Sequence, residues 1–146
     1  MILQVKDGNY FYTKKRRQSE TKFLYNNDIN FELHPGEILS VLGPNGAGKT
    51  TMLKCMMGLL KWEKGETLLD GKAISKMSNK ELWKTIGYVP QASRMTFSYS
   101  ILDLVTMGRA VYIGAFNQPS KEDKRLAIEA LELVGIAHLA EKLCTE

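Results

Sequence analysis

The segment LGPNGAGKTT, residues 42–51, has the residue types and spacing needed to hold a phosphate group. It contains three glycines, Gly43, Gly46 and Gly48. Glycine allows tight turns with positive φ, so that successive backbone N–H groups can point into one concavity that fits an anion. Lys49 supplies a cation for the terminal phosphates of a nucleotide, and the Thr50 hydroxyl supplies a ligand for Mg²⁺. The spacing G-x-x-x-x-G-K-[ST] therefore predicts a phosphate-binding loop.

A loop of this kind requires a strand before it and a helix after it. Residues 37–42, EILSVL, are apolar enough to predict a strand buried on both faces of a parallel sheet. Residues 50–60, TTMLKCMMGLL, lack proline and predict a helix. This context disfavours a glycine-rich surface turn. The predicted nucleotide-binding residues here are Gly43, Pro44, Asn45, Gly46, Ala47, Gly48, Lys49, Thr50 and Thr51, with Lys49 also catalytic and Thr50 a metal ligand.

The composition is that of an ordinary globular chain. It has 146 residues, of which 44% are hydrophobic and 25% charged, and a net charge of +4. Much of the excess charge lies in residues 14–17, KKRR, without interleaved aromatic residues. We interpret this run as a solvated loop or hairpin tip and expect no nucleic-acid partner. The chain contains no C-x-x-C pair, no apolar run of 18 residues and no signal peptide, which together predict a cytoplasmic protein.

The first part of the chain has an α/β pattern. Short β-prone segments occupy residues 2–6, 9–13 and 22–33, and Asp7-Gly8 predicts a hairpin between the first two. Asp70-Gly71 predicts a second hairpin. Ser78 and Glu81 have the spacing of a capping box that begins a short helix. Residues 85–89, TIGYV, predict a core strand that stops before Pro90.

The pattern becomes helical after residue 91. Ser100 and Asp103 predict the start of one helix, which ends near Gly108, and Ser120 and Asp123 predict the start of another. The second helix has a predicted apolar stripe and then a glycine suited to its C-terminal end: Leu126, Ala130, Leu131, Val134 and Gly135. A last short helix is predicted at residues 137–143. We therefore expect two domains, residues 1–91 and 92–146.

The order of these motifs gives the chain a family resemblance. GEILSVLGPNGAGKTT, then D-G, then IGYVPQ and then a helical segment resemble the nucleotide-binding subunit of an ABC transporter. The resemblance implies an α/β P-loop NTPase fold with N-terminal antiparallel strands, followed by the start of an α-helical subdomain. The M-G-R at residues 107–109, the aromatic loop after it and P-S-x-E-D at 119–123 resemble importer ATPases for iron–siderophore, haem and cobalamin complexes.

Several residue roles are implied by the resemblance. Gln91 matches the Q-loop glutamine, which joins the Mg²⁺ shell or positions water. Tyr12 matches the aromatic residue that stacks on adenine, although its neighbours leave the register open. Met95, Phe97 and Tyr99 match a groove that receives a short helix of the transport subunits, and packing residues are the alternative interpretation.

The resemblance also implies cofactors and partners. These are ATP and Mg²⁺, integral-membrane permease subunits, a second copy of the ATPase subunit and, indirectly, a periplasmic or surface substrate-binding protein. Such a subunit would be cytoplasmic and peripheral on the inner face of the membrane.

The family's Asp-Glu after four apolar residues, its LSGGQ signature and its switch histidine do not occur in the 146 residues. We therefore expect this chain to correspond to the N-terminal part of a longer ATP hydrolase and to be inactive alone. The alternatives are a non-catalytic nucleotide-binding fragment and a soluble ABC ATPase of translation or DNA repair. A small P-loop kinase or GTPase is disfavoured because no N-K-x-D base reader occurs.

Overall fold

The computed structural model describes residues 1–16, 19–91, 98–113 and 117–145, with side chains omitted for residues 12–16 and 19–26. The described chain forms two compact units, Met1–Leu82 and Trp83–Glu146. The sequence places its domain boundary after Gln91 instead, and that functional division stays a prediction.

The first unit contains an antiparallel sheet. Its strands in the described residues are β1 (Leu3–Arg16), β2 (Ser19–Leu33), β3 (Lys64–Leu69) and β4 (Lys72–Ala73). Their spatial order is β2-β1-β3-β4, and every neighbouring pair is antiparallel. The predicted antiparallel β structure before the phosphate-binding loop is therefore confirmed, although it consists of two long strands and not three short ones.

The predicted hairpin at Asp7-Gly8 is wrong, because β1 continues through it as an irregular strand. Asp7 has φ 50°, and the pairing of β1 with β2 shifts register on both sides of Gly8. The buried Asn9 side chain donates to the Asp7 carbonyl at 2.7 Å and accepts from the Asp28 N–H at 3.1 Å. The turn-forming residues thus make a β-bulge whose backbone groups are satisfied by an amide side chain.

The second predicted hairpin is confirmed between β3 and β4. Asp70 and Gly71 have φ 47° and 78°, the pair of positive values that a tight two-residue turn requires. The Asp70 carboxylate also accepts the Ile2 N–H at 2.7 Å, which ties the start of the chain to this turn.

Helix α1 (Lys49–Met56) follows the phosphate-binding loop, as predicted, and contributes to the core of the first unit. The buried cluster consists of Val5, Met52, Cys55, Met56 and Trp62. Burial raises the pKa of the Cys55 thiol to about 11, so the thiol stays neutral. The C-terminal half of α1 is therefore an apolar anchor for the loop at its N-terminal end.

The two predicted core strands, residues 37–42 and 85–89, are wrong for this structure. Apart from Thr85, which is the last residue of the helix at Asn79–Thr85, neither segment has regular secondary structure, and Ile38 and Val89 are each 93% exposed. A parallel strand is held by hydrogen bonds to strands on its sides and by cover on its faces. None of the described residues supplies such a partner for either segment. Of the first segment, Val41 packs partly against the core cluster.

The remaining helices begin as their capping residues predict. Helix α2 (Asn79–Thr85) follows Ser78, whose hydroxyl accepts the Glu81 N–H at 3.2 Å. Helix α3 (Ile101–Met107) is capped by Ser100 and ends at Gly108, and α4 (Lys121–Leu133) begins with a complete capping box.

Helix α4 buries a narrower face than the predicted stripe. Ala127 and Leu131, four residues apart, are each 2% exposed, whereas Val134 is 65% exposed and Ala130 is also exposed. The predicted final helix is only a 3₁₀ turn, Ala137–Leu139, because the backbone beyond it pairs with α3: Lys142 accepts the Ile101 N–H at 2.9 Å. No helix in the described parts of the chain is long and apolar enough to cross a membrane.

Candidate phosphate-binding site

The loop between the core-contacting Val41 and helix α1 turns through its three glycines. Gly43, Gly46 and Gly48 have φ 155°, 83° and 87°, a region that costs other residues about 1–2 kcal/mol. Ala47 donates its N–H to the Pro44 carbonyl at 3.3 Å, which closes a turn within the loop. All three glycines thus have the positive φ for which glycine was predicted at these positions.

The Lys49 side chain folds back onto the loop. Its Nζ donates to the carbonyls of Gly43 and Pro44 at 2.6 and 2.7 Å. The ammonium therefore lies within the curve of the loop, and its donors are held by neutral carbonyls. A phosphate group is ionised, so its oxygens accept stronger, charge-assisted hydrogen bonds than a neutral carbonyl does. A phosphate can therefore compete with the carbonyls for this lysine.

The N-terminal end of α1 has no side chain that neutralises it. Gly48 is the N-cap residue in the left-handed conformation, no side-chain hydrogen bond caps the helix, and its first turn contains no acidic residue. The first N–H groups of a helix lack partners within the helix, and the aligned peptide dipoles make this end positive. The N-terminal end of α1 and the Lys49 ammonium thus place positive charge beside the same loop.

Thr50 and Thr51 lie in the first turn of α1, the former exposed and the latter half-buried. The Thr50 hydroxyl fits Mg²⁺ as one oxygen ligand. No group of three or more His, Cys, Asp or Glu side chains that could hold a metal occurs in the described residues. Mg²⁺ usually keeps several waters and is shared with substrate phosphates. The donor set therefore fits a metal that arrives with a nucleotide and does not fit an all-protein cage.

The residues predicted from outside the loop have different outcomes. Gln91 is exposed at the end of residues 86–91, in the second unit. Tyr12 lies on β1 opposite Phe23, but its side chain is outside those described. Their roles stay predictions.

The three residues predicted to contact a transport subunit are only partly described. Met95 and Phe97 lie outside the described residues, whereas Tyr99 is 41% exposed just before α3. The Tyr99 carbonyl accepts the Cys144 N–H at 2.9 Å. Its predicted contact role also stays a prediction.

One pairing near the motifs of the second unit was missed by the sequence analysis. Arg109 donates to Asp123 at 3.2 Å, with side chains only 29% and 13% exposed, and its guanidinium lies 4.2 Å from the centre of the Tyr112 ring. The same Asp123 completes the capping box of α4 with Ser120. The sequence offered one indication of this pairing: the M-G-R motif contains an arginine and the P-S-x-E-D motif contains an acid, and these two residues form the ion pair.

A glycine-rich loop that leads into a helix start fits an anionic group such as a phosphate. Comparison with known families identifies the class of protein. The ABC transporter family model matches residues 26–146. The chain belongs to this family. Its fold is that of an ABC-type P-loop ATPase.

Individual relatives are named as import or transport ATP-binding proteins. The chain is 35% identical to the molybdate import ATP-binding protein MolC of Haemophilus influenzae over 140 residues, covering 96% of this chain and 47% of MolC. It is 34% identical to a probable iron chelatin transport ATP-binding protein of Helicobacter pylori, covering 97% and 53% of the two chains. The chain thus spans about half the length of these curated relatives.

A solved structure agrees with this assignment. A metal-chelate type ABC transporter in an inward-facing conformation superposes with a TM-score of 0.72 and 33% sequence identity. The match covers 97% of this chain and 48% of the other. The likeness therefore extends over nearly all of this chain and about half of the transporter's chain.

Proposed function

We propose that this chain binds MgATP at residues 43–51 and forms part of the ATP-hydrolysing subunit of an ABC importer. The observation that carries the proposal is the position of the Lys49 ammonium, which is held by two loop carbonyls beside the uncapped N-terminal end of α1. Family membership supports a nucleotide as the ligand, because the relatives are ATP-binding proteins by name.

Nucleotide binding would proceed by exchange of the Lys49 partners. The ammonium would leave the carbonyls of Gly43 and Pro44 and turn to the β- and γ-phosphates, while backbone N–H groups of the loop and of the start of α1 would surround them. The Thr50 hydroxyl would hold the Mg²⁺ that accompanies the phosphates, and such an ion would supply positive charge to neutralise them. Gln91 would join the metal shell or position water, and Tyr12 would stack on adenine.

Hydrolysis and transport are proposed for the whole protein. Two copies of the subunit would sandwich two ATP molecules between them. The dimer would lie against integral-membrane permease subunits on the cytoplasmic face of the membrane, and its closure would move them. A substrate-binding protein would act indirectly, by delivering cargo to the permease. The names of the relatives support importers of metal-containing anions and chelates. Within this range we propose an iron–siderophore, haem or cobalamin-type cargo from the motifs at residues 107–123.

Isothermal titration calorimetry with MgATP tests the binding step. Lys49→Ala removes the main phosphate cation, so we expect its Kd to rise at least about tenfold. The matched control is Lys54→Ala, which removes a cation from the last turn of the same helix, away from the loop. We expect the Kd of this control to change by less than about threefold. Equal affinities for the Lys49 variant and the unaltered chain would reject the site.

A second candidate is a nucleotide-binding protein without hydrolysis. It is favoured by one observation, that no aspartate in this chain follows four apolar residues as the family's metal-binding aspartate does. Neither candidate predicts phosphate release by these 146 residues alone, so phosphate release by the whole subunit is the measurement that distinguishes the two.

A further inference from the structure

A cavity of about 310 Å³ lies in the first unit beside the C-terminal end of α1. Every residue that lines it is described and belongs to the first unit. The cavity is separate from the phosphate-binding loop, none of whose residues contributes to its wall. Its volume is at the lower end of the range of about 300–1,000 Å³ found for small-molecule sites.

The floor of the cavity is buried and uncharged. It is formed by Cys55, Trp62, Thr67, Ile74 and Leu82, each at most 8% exposed. The polar edge of Trp62 is already satisfied, because its Nε1–H donates to the Thr67 hydroxyl at 2.9 Å. The floor therefore offers an aromatic ring and aliphatic surface but no unpaired charge, and it favours an apolar ligand.

The rim of the cavity is exposed and polar. It includes Lys61 and Glu66, whose opposite charges cancel, and Ser75 and Asn79, which can donate and accept hydrogen bonds. An ion of either sign would meet an unlike and a like charge at the rim and an apolar floor below it. A neutral molecule with one hydrogen-bonding group at its outer end matches both surfaces.

We propose that this cavity binds a small, neutral aromatic molecule of one or two fused rings. The rings lie on the floor near Trp62, where aromatic pairs gain energy beyond their buried area, and the polar group remains at the rim near Ser75 and Asn79. The occupant also contacts Cys55, which lies on the same eight-residue helix as Lys49. The proposal does not depend on what the phosphate-binding loop holds.

Ligand-observed ¹⁹F NMR with a fluorinated indole as the probe tests this site on the full chain. Ser75→Phe places a ring at the rim and should block entry, so we expect the affinity for the probe to fall at least about tenfold. Lys76→Phe is the matched control, because Lys76 is also exposed at the neighbouring position but does not line the cavity. We expect this control to bind the probe as the unaltered chain does.

Circular dichroism establishes that each variant is folded, and Asn79→Phe replaces Ser75→Phe as the blocking variant if the latter is unfolded. Asn79 lies on the same rim and is exposed. The absence of probe binding to the unaltered chain would overturn the proposal. Equal binding by the blocking variant and the control would also overturn it, because the probe would then be held elsewhere on the apolar surface.

Discussion

At the scale of single residues, Gly65 lies where the backbones of strands β3 and β1 approach each other closely. Its φ is +85°, and a Cβ atom built on it would lie 2.2 Å from the Asp7 carbonyl oxygen. The approach results from the β-bulge at Asp7, which moves this carbonyl toward β3. Both the backbone conformation and the available space therefore require glycine at this position.

The Gly65→Ala variant should be strongly destabilised, because the methyl group displaces backbone in addition to straining φ. We expect the free energy of unfolding to fall by about 3 kcal/mol or more, measured by urea denaturation. Gly71→Ala is the control for strain alone, since Gly71 has φ +78° with no atom within 4 Å of the added Cβ, and its loss should be about 1–2 kcal/mol. Equal losses for the two variants would show that the strands do not approach each other so closely.

The sequence could predict the loop glycines and Lys49, but it could not predict the requirement at Gly65. The loop residues are specified by a local pattern in which each position has a separate physical reason. The contact at Gly65 is made with a residue 58 positions earlier, across a bulge that the sequence analysis interpreted as a hairpin. The Asp7-Gly8 pair indicated that the backbone turns unusually at Asp7. It did not indicate that the Asp7 carbonyl lies against a distant strand.

At the scale of elements, the start of helix α4 depends on one carboxylate. The Ser120 hydroxyl and backbone N–H donate to Asp123 at 2.6 and 3.0 Å, and Arg109, two residues beyond α3, donates to it as well. These contacts hold the pKa of Asp123 below its ordinary value of 3.8, and the hydrogen bond from the Ser120 hydroxyl makes the largest contribution. The carboxylate thus joins a helix cap to a contact between two helices.

Acid should therefore destabilise the helical unit through Asp123. A carboxyl group with a lowered folded pKa contributes stability that is complete above its unfolded pKa and is lost as the pH falls through the folded value. We expect the thermal unfolding temperature to fall when the pH is lowered below 3.8, and to fall by less in the Asp123→Asn variant. Glu132→Gln removes an exposed charge from the same helix and should keep the full drop. Identical acid profiles for both variants would contradict the assignment.

Helix starts were predictable, whereas the strands at residues 37–42 and 85–89 were not. A capping box is a contact between residues three apart, so Ser120 and Asp123 can be recognised from their spacing alone. A buried parallel strand requires other strands, and the apolar run indicates only that the segment can be buried. The same dependence on neighbours explains why α4 buries Ala127 and Leu131, not the wider stripe expected from periodicity.

At the scale of the whole molecule, exposed apolar side chains should make the isolated chain associate. Ile38, Leu42 and Val89 are each at least 90% exposed, in segments whose backbone is not paired within the described sheet. Unpaired apolar segments of this kind favour contacts between chains. We expect size-exclusion chromatography with light scattering to show association that increases with protein concentration.

A double variant distinguishes association through the unpaired segments from non-specific association through any exposed apolar side chain. Ile38→Lys with Leu42→Lys should shift the population toward the monomer, because charges on an unpaired segment oppose pairing. Leu133→Lys is the control, since Leu133 is 88% exposed but lies on a regular helix, and we expect it to associate as the unaltered chain does. A compact monomer at all concentrations of the unaltered chain would contradict the prediction.

The last prediction concerns turnover by the whole chain. Phosphoryl transfer needs a metal-holding carboxylate and a group that positions water, in addition to the phosphate-binding loop. Each of the five aspartates has another structural role, two at bulges, one at a turn and two at helix caps: Asp7, Asp28, Asp70, Asp103 and Asp123. We therefore expect steady-state phosphate release with MgATP to be no faster for this chain than for its Lys49→Ala variant. Turnover that depends on Lys49 would mean that an acid and a base in this chain had been assigned the wrong roles, and the chain would then be a complete hydrolase by itself.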